Sequence, residues 1–167
     1  MMKTSPQLRF VLAATLAVAG SFFGCTTPEL EGIHSAHVAM ANSIQSEEPG
    51  NYFIGRRYFK RDYKFWGYVR SPGQPWSTAK LVMMNEQSKL APDREGGELG
   101  TDNNYEYKLY GNFSGDKVYE PASNGIYPEF VLKGYELIST NPPAIFKSQM
   151  SGRSRPTDLR YVVEKPE

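Results

Sequence analysis

The chain has one cysteine, Cys25, and two histidines, His34 and His37, in 167 residues. One cysteine excludes a disulfide within the chain. With both histidines three apart in a single segment, a Ser-His or Cys-His nucleophile is hard to assemble elsewhere. Gly-x-Ser-x-Gly, a phosphate-cradling glycine loop and His-Glu-x-x-His are all missing. The usual signatures of acyl transfer, nucleotide binding and zinc hydrolysis are therefore absent. No excess of one charge marks the chain as a partner of nucleic acid or of an acidic surface. Two of the 19 basic residues, Lys3 and Arg9, precede Cys25, leaving 17 against 18 acidic ones beyond it.

What is present favours a small β domain. Hydrophobic residues make up 40% and aromatics 13%, with 11 Tyr and 9 Phe. That is enough to bury a core, and the tyrosines and phenylalanines lean toward strands. The length suits one domain of ordinary size.

The first 24 residues read as an export signal. Lys3 and Arg9 give a positive start without acids, and residues 10–23 form a hydrophobic run. That run is shorter than the roughly 20 apolar residues a spanning helix needs. Ser21, Phe22, Phe23, Gly24 and Cys25 close it. Here the chain resembles the bacterial lipoproteins, whose lipobox reads Leu-(Ala/Ser)-(Gly/Ala)-Cys. Gly24 and Cys25 match, Phe22 stands where Leu is usual, and Phe23 where a small residue is usual. The resemblance implies lipid attachment (diacylglycerol, with palmitate-type acyl chains) at Cys25 and cleavage before it. It also implies a membrane-anchored place in the cell envelope, at the outer membrane or the periplasmic face. Two or three acyl chains anchor stably where one does not.

Residues 25–50 read as the lipidated start and a tether. Leu30, Ile33, His37, Met40 and Ile44 fall near one helical face, and Pro49 and Gly50 end the pattern, so the segment is either helix or flexible spacer. His34 and His37 lack a third strong ligand and read as solvated. Nothing in the pattern calls for a cofactor or a metal ion.

Residues 51–139 carry the domain. Strands are expected over 52–59, 64–70, 79–86, 105–113, 117–120 and 129–138. Turns are expected at 71–75, at Ser114, Gly115 and Asp116, and over 121–128, and a long aperiodic loop over 88–104. Residues 105–113 alternate most cleanly, with Tyr105, Tyr107, Leu109, Gly111 and Phe113 on one side. Gly67, Gly111 and Gly134 inside strands point to a strongly curved sheet. The fold class is mainly β, a small curved antiparallel sheet of five to six strands that loosely resembles an OB-like Greek-key barrel. An OB-fold usually has a helix between its third and fourth strands, and 88–104 does not read as helical; a small β-sandwich is the competitor. Residues 140–167 read as a loosely ordered tail with a short edge strand at 159–163.

The densest chemical feature is the basic-aromatic stretch 56–66, with Arg56, Arg57, Tyr58, Lys60, Arg61 and Trp66 as candidate ligand-binding residues. Aromatics interleaved with cations suit three uses. They stack and neutralise single-stranded nucleic acid, they hold anionic glycan or lipid head groups, or they fill a core while the charges stay solvated. Export disfavours nucleic acid. Asp93, Glu95, Glu98 and Asp102 lie among glycines in the long loop. Their spacing is not that of a calcium loop, so they read as solvated. Trp76 reads as a core residue. The expectation is a non-enzymatic envelope protein that binds a partner protein or an anionic envelope polymer. The alternatives are an envelope hydrolase using strand and loop carboxylates, and an OB-type nucleic-acid module.

Overall fold

The computed structural model describes residues 28–150 and 163–167. Cys25, the signal segment and residues 159–162 of the expected edge strand lie outside the described residues. The elements are helix α1 (Pro28–Gln45), strands β1 (Phe53–Arg57) and β2 (Gly67–Arg70), and a 3-10 turn (Trp76–Thr78). Strand β3 (Lys80–Asn85), helix α2 (Pro92–Glu95), strands β4 (Glu106–Glu120) and β5 (Gly125–Ser139), and helix α3 (Lys147–Met150) follow.

The five strands close into a barrel in the order β1-β2-β3-β5-β4, with β4 returning to β1. Only β3 and β5 pair in parallel; the other pairs are antiparallel. This is the OB-like barrel expected, and closure excludes the competing small β-sandwich. Two glycines allow close approach. A Cβ at Gly67 would stand 2.2 Å from the carbonyl oxygen of Arg56, and one at Gly111 would stand 2.1 Å from that of Val131. Gly111 follows a register shift, as a bent strand requires. Gly134 is different, since a Cβ there would meet only Tyr110, at ordinary contact distance.

Two expectations fail in the same place. Ser114, Gly115 and Asp116 do not reverse the chain; β4 runs through them. Phe113 pairs with Phe130 and Lys117 with Pro128, so these three residues bulge opposite Glu129 alone. Gly115 takes the positive φ of 95° locally, and the ladder resumes beyond it. The reversal comes at residues 121–124, where Asn124 adopts φ 49°, and β5 includes Pro128 rather than starting after it. Pro128 has no N–H to donate and stands beside the interrupted ladder, where none is needed.

Alternation along the strands creates two cores. Val69, Val82, Tyr107, Leu109, Phe130 and Leu132, from four strands, fill the barrel with Trp66 and Ala91. The opposite parity of β1, β2 and β3 presents Ile54, Tyr68 and Leu81 outward. That outer face is also buried, under Trp76, Ile145 and Phe146, with Met40 and Ile44 of α1 and Val163 packed on it. The expected loose tail is thus corrected in part: Ile145 and Phe146 are core residues. The segment before the barrel takes the helical alternative over Pro28–Gln45. Glu47, just beyond α1, accepts both Nη groups of Arg70, at 2.7 and 2.5 Å, and the amide of Gly73 at 2.8 Å. The end of the segment therefore docks on the barrel through Met40, Ile44 and Glu47, while most of α1 from His34 onward is exposed.

Candidate functional site

Arg56 and Arg57 are adjacent on β1, so their side chains leave opposite faces of the strand. Arg56 goes to the outer core. It is fully buried, pairs with Glu106, and donates to the carbonyl of Pro143 at 2.9 Å and to Asn104 Oδ1 at 3.3 Å. Its guanidinium lies 5.1 Å from the centre of the Trp76 ring, and that of Arg70 lies 4.5 Å from it. Trp76 is accordingly buried as expected. Burial, the largest influence, together with the positive charge of Arg70, pulls the Arg56 pKa below its ordinary value against the pull of Glu106.

Arg57 goes to the barrel side. Its Nη2 meets Asp93 Oδ2 at 2.7 Å, its Nε meets Asp102 Oδ1 at 3.3 Å, and Nη1 donates to the carbonyl of Trp66. Asp93 also accepts the amides of Arg94 and Gly100, each at 3.0 Å, and Asp102 accepts the Tyr107 hydroxyl at 3.1 Å. Burial and the neighbouring charge of Asp93 push the Asp102 carboxyl above its ordinary range, outweighing Arg57. Burial and the charge of Asp102 push the Tyr107 hydroxyl up as well. Two of the four loop acids, expected to be solvated, are therefore the buried counter-ions of a strand arginine. A third, Glu95, pairs with Lys89 at 2.7 Å and accepts the Tyr135 hydroxyl. The long loop holds one helical turn, α2, which starts at Pro92 and places Asp93 in its first turn.

Between the β1–β2 loop and the segment after β3 lies a groove of about 860 Å³, within the range of small-ligand sites. Its buried lining includes Arg57, Tyr63, Phe65 and Trp66. Leu90 and Leu99 are exposed at 44% and 61%, apolar groups left open to solvent at its mouth. Exposed Arg61 and Lys64 line it, as do Glu86 and Arg94, paired at 3.3 Å. The Glu86 carboxyl is pushed up by burial, with Asp93 adding to the shift and Arg94 opposing it. Arg57 is committed to two carboxylates. Among the described residues Arg61 and Lys64 have no carboxylate within ion-pair distance. Trp66 Nε1 is a buried donor without a partner among the described residues.

The six candidates therefore separate. Arg57, Arg61 and Trp66 line the groove. Arg56 and Tyr58 belong to the outer core, and Lys60 lies 5.2 Å from the Tyr58 ring. The single exposed basic-aromatic face that the nucleic-acid reading needs is not formed, because Arg56, Arg57, Tyr58 and Trp66 are buried. The plain core reading holds for the buried aromatics and for exposed Arg61 and Lys64, but not for Arg56 and Arg57, which are buried. The groove residues beyond 85, notably Glu86, Leu90, Arg94 and Leu99, escaped sequence reasoning. Their one signal was two leucines stranded in an aperiodic polar loop. Among the described residues no group of three His, Cys, Asp or Glu could hold a metal ion. The chain matches no protein-family model, no curated protein and no solved structure.

Proposed function

We propose that this is a lipid-anchored cell-envelope protein whose barrel binds an anionic envelope polymer in the groove, without catalysis. One observation carries the reading. Two exposed cations with no ion-pair partner among the described residues, Arg61 and Lys64, line a groove whose exposed apolar residues are Leu90 and Leu99. Cations at the mouth meet phosphate or carboxylate groups, and Leu90, Leu99 and half-buried Phe59 offer apolar contact to the sugars. Glu86 is the residue that a hydrolase reading would use. Its neighbouring acid Asp93, however, is spent on Arg57 and two backbone amides, so Glu86 and Asp93 are not a free pair for paired-acid chemistry.

The anchor rests on the run ending at Gly24 and Cys25. With α1 beginning at Pro28 and its far end latched by Glu47, an acylated Cys25 would tie the barrel to the bilayer through this helix, whose 18 residues span about 27 Å. Intact-mass measurement of the mature protein tests it: the first residue should be Cys25, carrying acyl mass. A different first residue or an unmodified cysteine removes the anchor from the proposal.

Binding is tested with a uronate- or phosphate-bearing glycan polymer against a neutral glucan. The charged polymer should be retained, less so as salt rises. Replacing Arg61 and Lys64 with Ala should weaken retention about tenfold, the scale of one charge-assisted contact. Retention indifferent to both salt and substitution rules the polymer out. Capture of one protein from detergent-solubilised envelope, lost in the same variant, would move the reading to a protein partner.

A further inference from the structure

We propose that the outer face of β1 and β2 is a binding site for an extended peptide, which this chain fills with its own residues 163–167. The inference is independent of the groove. Two tyrosines that leave the barrel outward hold the backbone of a single residue. Tyr58 OH accepts the amide of Glu164 at 3.2 Å, and Tyr68 OH donates to the Glu164 carbonyl. Both rings are buried, and Phe146 packs on them with centroid distances of 4.9 and 5.7 Å. Three residues on, the Glu167 amide donates to the Ile145 carbonyl at 3.0 Å, and Lys147 Nζ meets the Glu167 carboxylate at 2.8 Å. The holding groups thus read main chain at both ends and one negative charge. This is how extended peptides are captured on protein surfaces, with main-chain bonds giving affinity and few side chains giving selectivity.

The segment brings little apolar surface of its own. Val163 is the residue of 163–167 packed against the outer core, and Lys165 and Glu167 are exposed. A stretch held mostly by polar contacts over a fully formed aromatic ledge opens at lower cost than the ledge itself. Opening breaks the hydrogen bonds that Tyr58 and Tyr68 make to the Glu164 backbone. Their hydrogen bonds are best restored by another peptide backbone. The ligand class is therefore an extended peptide with an acidic residue three positions beyond the captured one. In the intact chain the covalent link supplies the resident segment at a high effective concentration, so a peptide from outside must compete with it.

The test keeps the whole chain through folding. A protease site is placed between Met150 and Val163 and cut after purification, so that the ledge has formed before the segment is released. A fluorescent peptide copying residues 159–167 is then added to cut and uncut protein. Anisotropy should show binding to the cut protein about tenfold tighter than to the uncut one. In the same peptide Glu164→Pro, which lacks the captured amide hydrogen, should bind about tenfold more weakly. Three results overturn the proposal: equal binding to cut and uncut protein, no exchange of the cut fragment for the peptide, or full binding by the Pro peptide.

Discussion

Arg56 and Arg57 have the same side chain on the same strand, one residue apart, and differ only in parity. Parity sends one to an outer face sealed by Trp76, Pro143 and Glu106, and the other to the floor of an open groove beside Asp93 and Asp102. The sealed arginine faces one carboxylate and a carbonyl. The groove arginine balances two carboxylates that a long loop must deliver. A buried charge is tolerable only where enough partners reach it, so each arginine fixes the path of the chain that supplies its partners. Arg56 ties β1 to the start of β4 and to Pro143. Arg57 ties β1 to α2 and to the approach to β4.

The comparison breaks most sharply on removal of the cations. Arg57→Met should destabilise the fold by about 3–5 kcal/mol, since two buried carboxylates lose their counter-ion. Arg56→Met, leaving the partly accessible Glu106, should cost about 1.5–3 kcal/mol. Urea unfolding of both variants decides it, and equal losses would mean that the number of stranded acids does not matter. Next in size is the latch on the sealed side. Glu47→Gln should cost about 1–2 kcal/mol by weakening the hold on Arg70. Amide exchange should quicken in α1 and leave β4 and β5 untouched. Exchange rising equally everywhere would show that α1 is not a separable layer.

Acid titration sharpens the contrast with a smaller effect. The folded pKa of Asp102 is raised above 3.8 by burial. Its contribution to stability is therefore present below that value and lost as pH rises through the raised one. Glu120 behaves oppositely. Burial alone would raise it, yet hydrogen bonds from Ser123, Ala122 and Lys64 hold it below 4.5. Its contribution is present above 4.5 and lost as pH falls through the lowered value. Stability measured from about pH 3 to pH 7 should thus change slope in opposite senses in Asp102→Asn and Glu120→Gln. A change of the same sign in both would refute the assignment. The smallest expected effect belongs to Arg61→Ala and Lys64→Ala. These should leave the unfolding midpoint where it is while weakening polymer retention, because exposed cations with no ion-pair partner among the described residues add little to the fold. A fall in stability would place them in the scaffold with Arg57.

Much of the barrel was legible because alternation is a local record of which face is buried. Tyr107 and Leu109 did point inward, and Gly111, read as a sign of strand curvature, does sit at a register shift of the closed barrel. The turn at Ser114, Gly115 and Asp116 misled for the converse reason. Its chemistry is that of a reversal, but β5 continues opposite it, and an existing partner strand turns a potential reversal into a bulge. The site was less legible. The basic-aromatic run was correctly singled out, yet its residues serve two faces, and the acids that hold Arg57 lie 36 and 45 positions away.

By itself the sequence determined the strand-rich class, the strand positions to within a few residues, the lone Cys25 after a hydrophobic run, and the concentration of charge and aromatics in 56–66. Each of these depends on near neighbours or on composition. Only the tertiary structure decided that Arg56 and Arg57 are buried, that α1 and residues 145–146 cover the outer face, and that a groove opens beside Arg61 and Lys64. Desolvating a cation, or leaving one free, depends on what arrives from dozens of residues away once the barrel has closed.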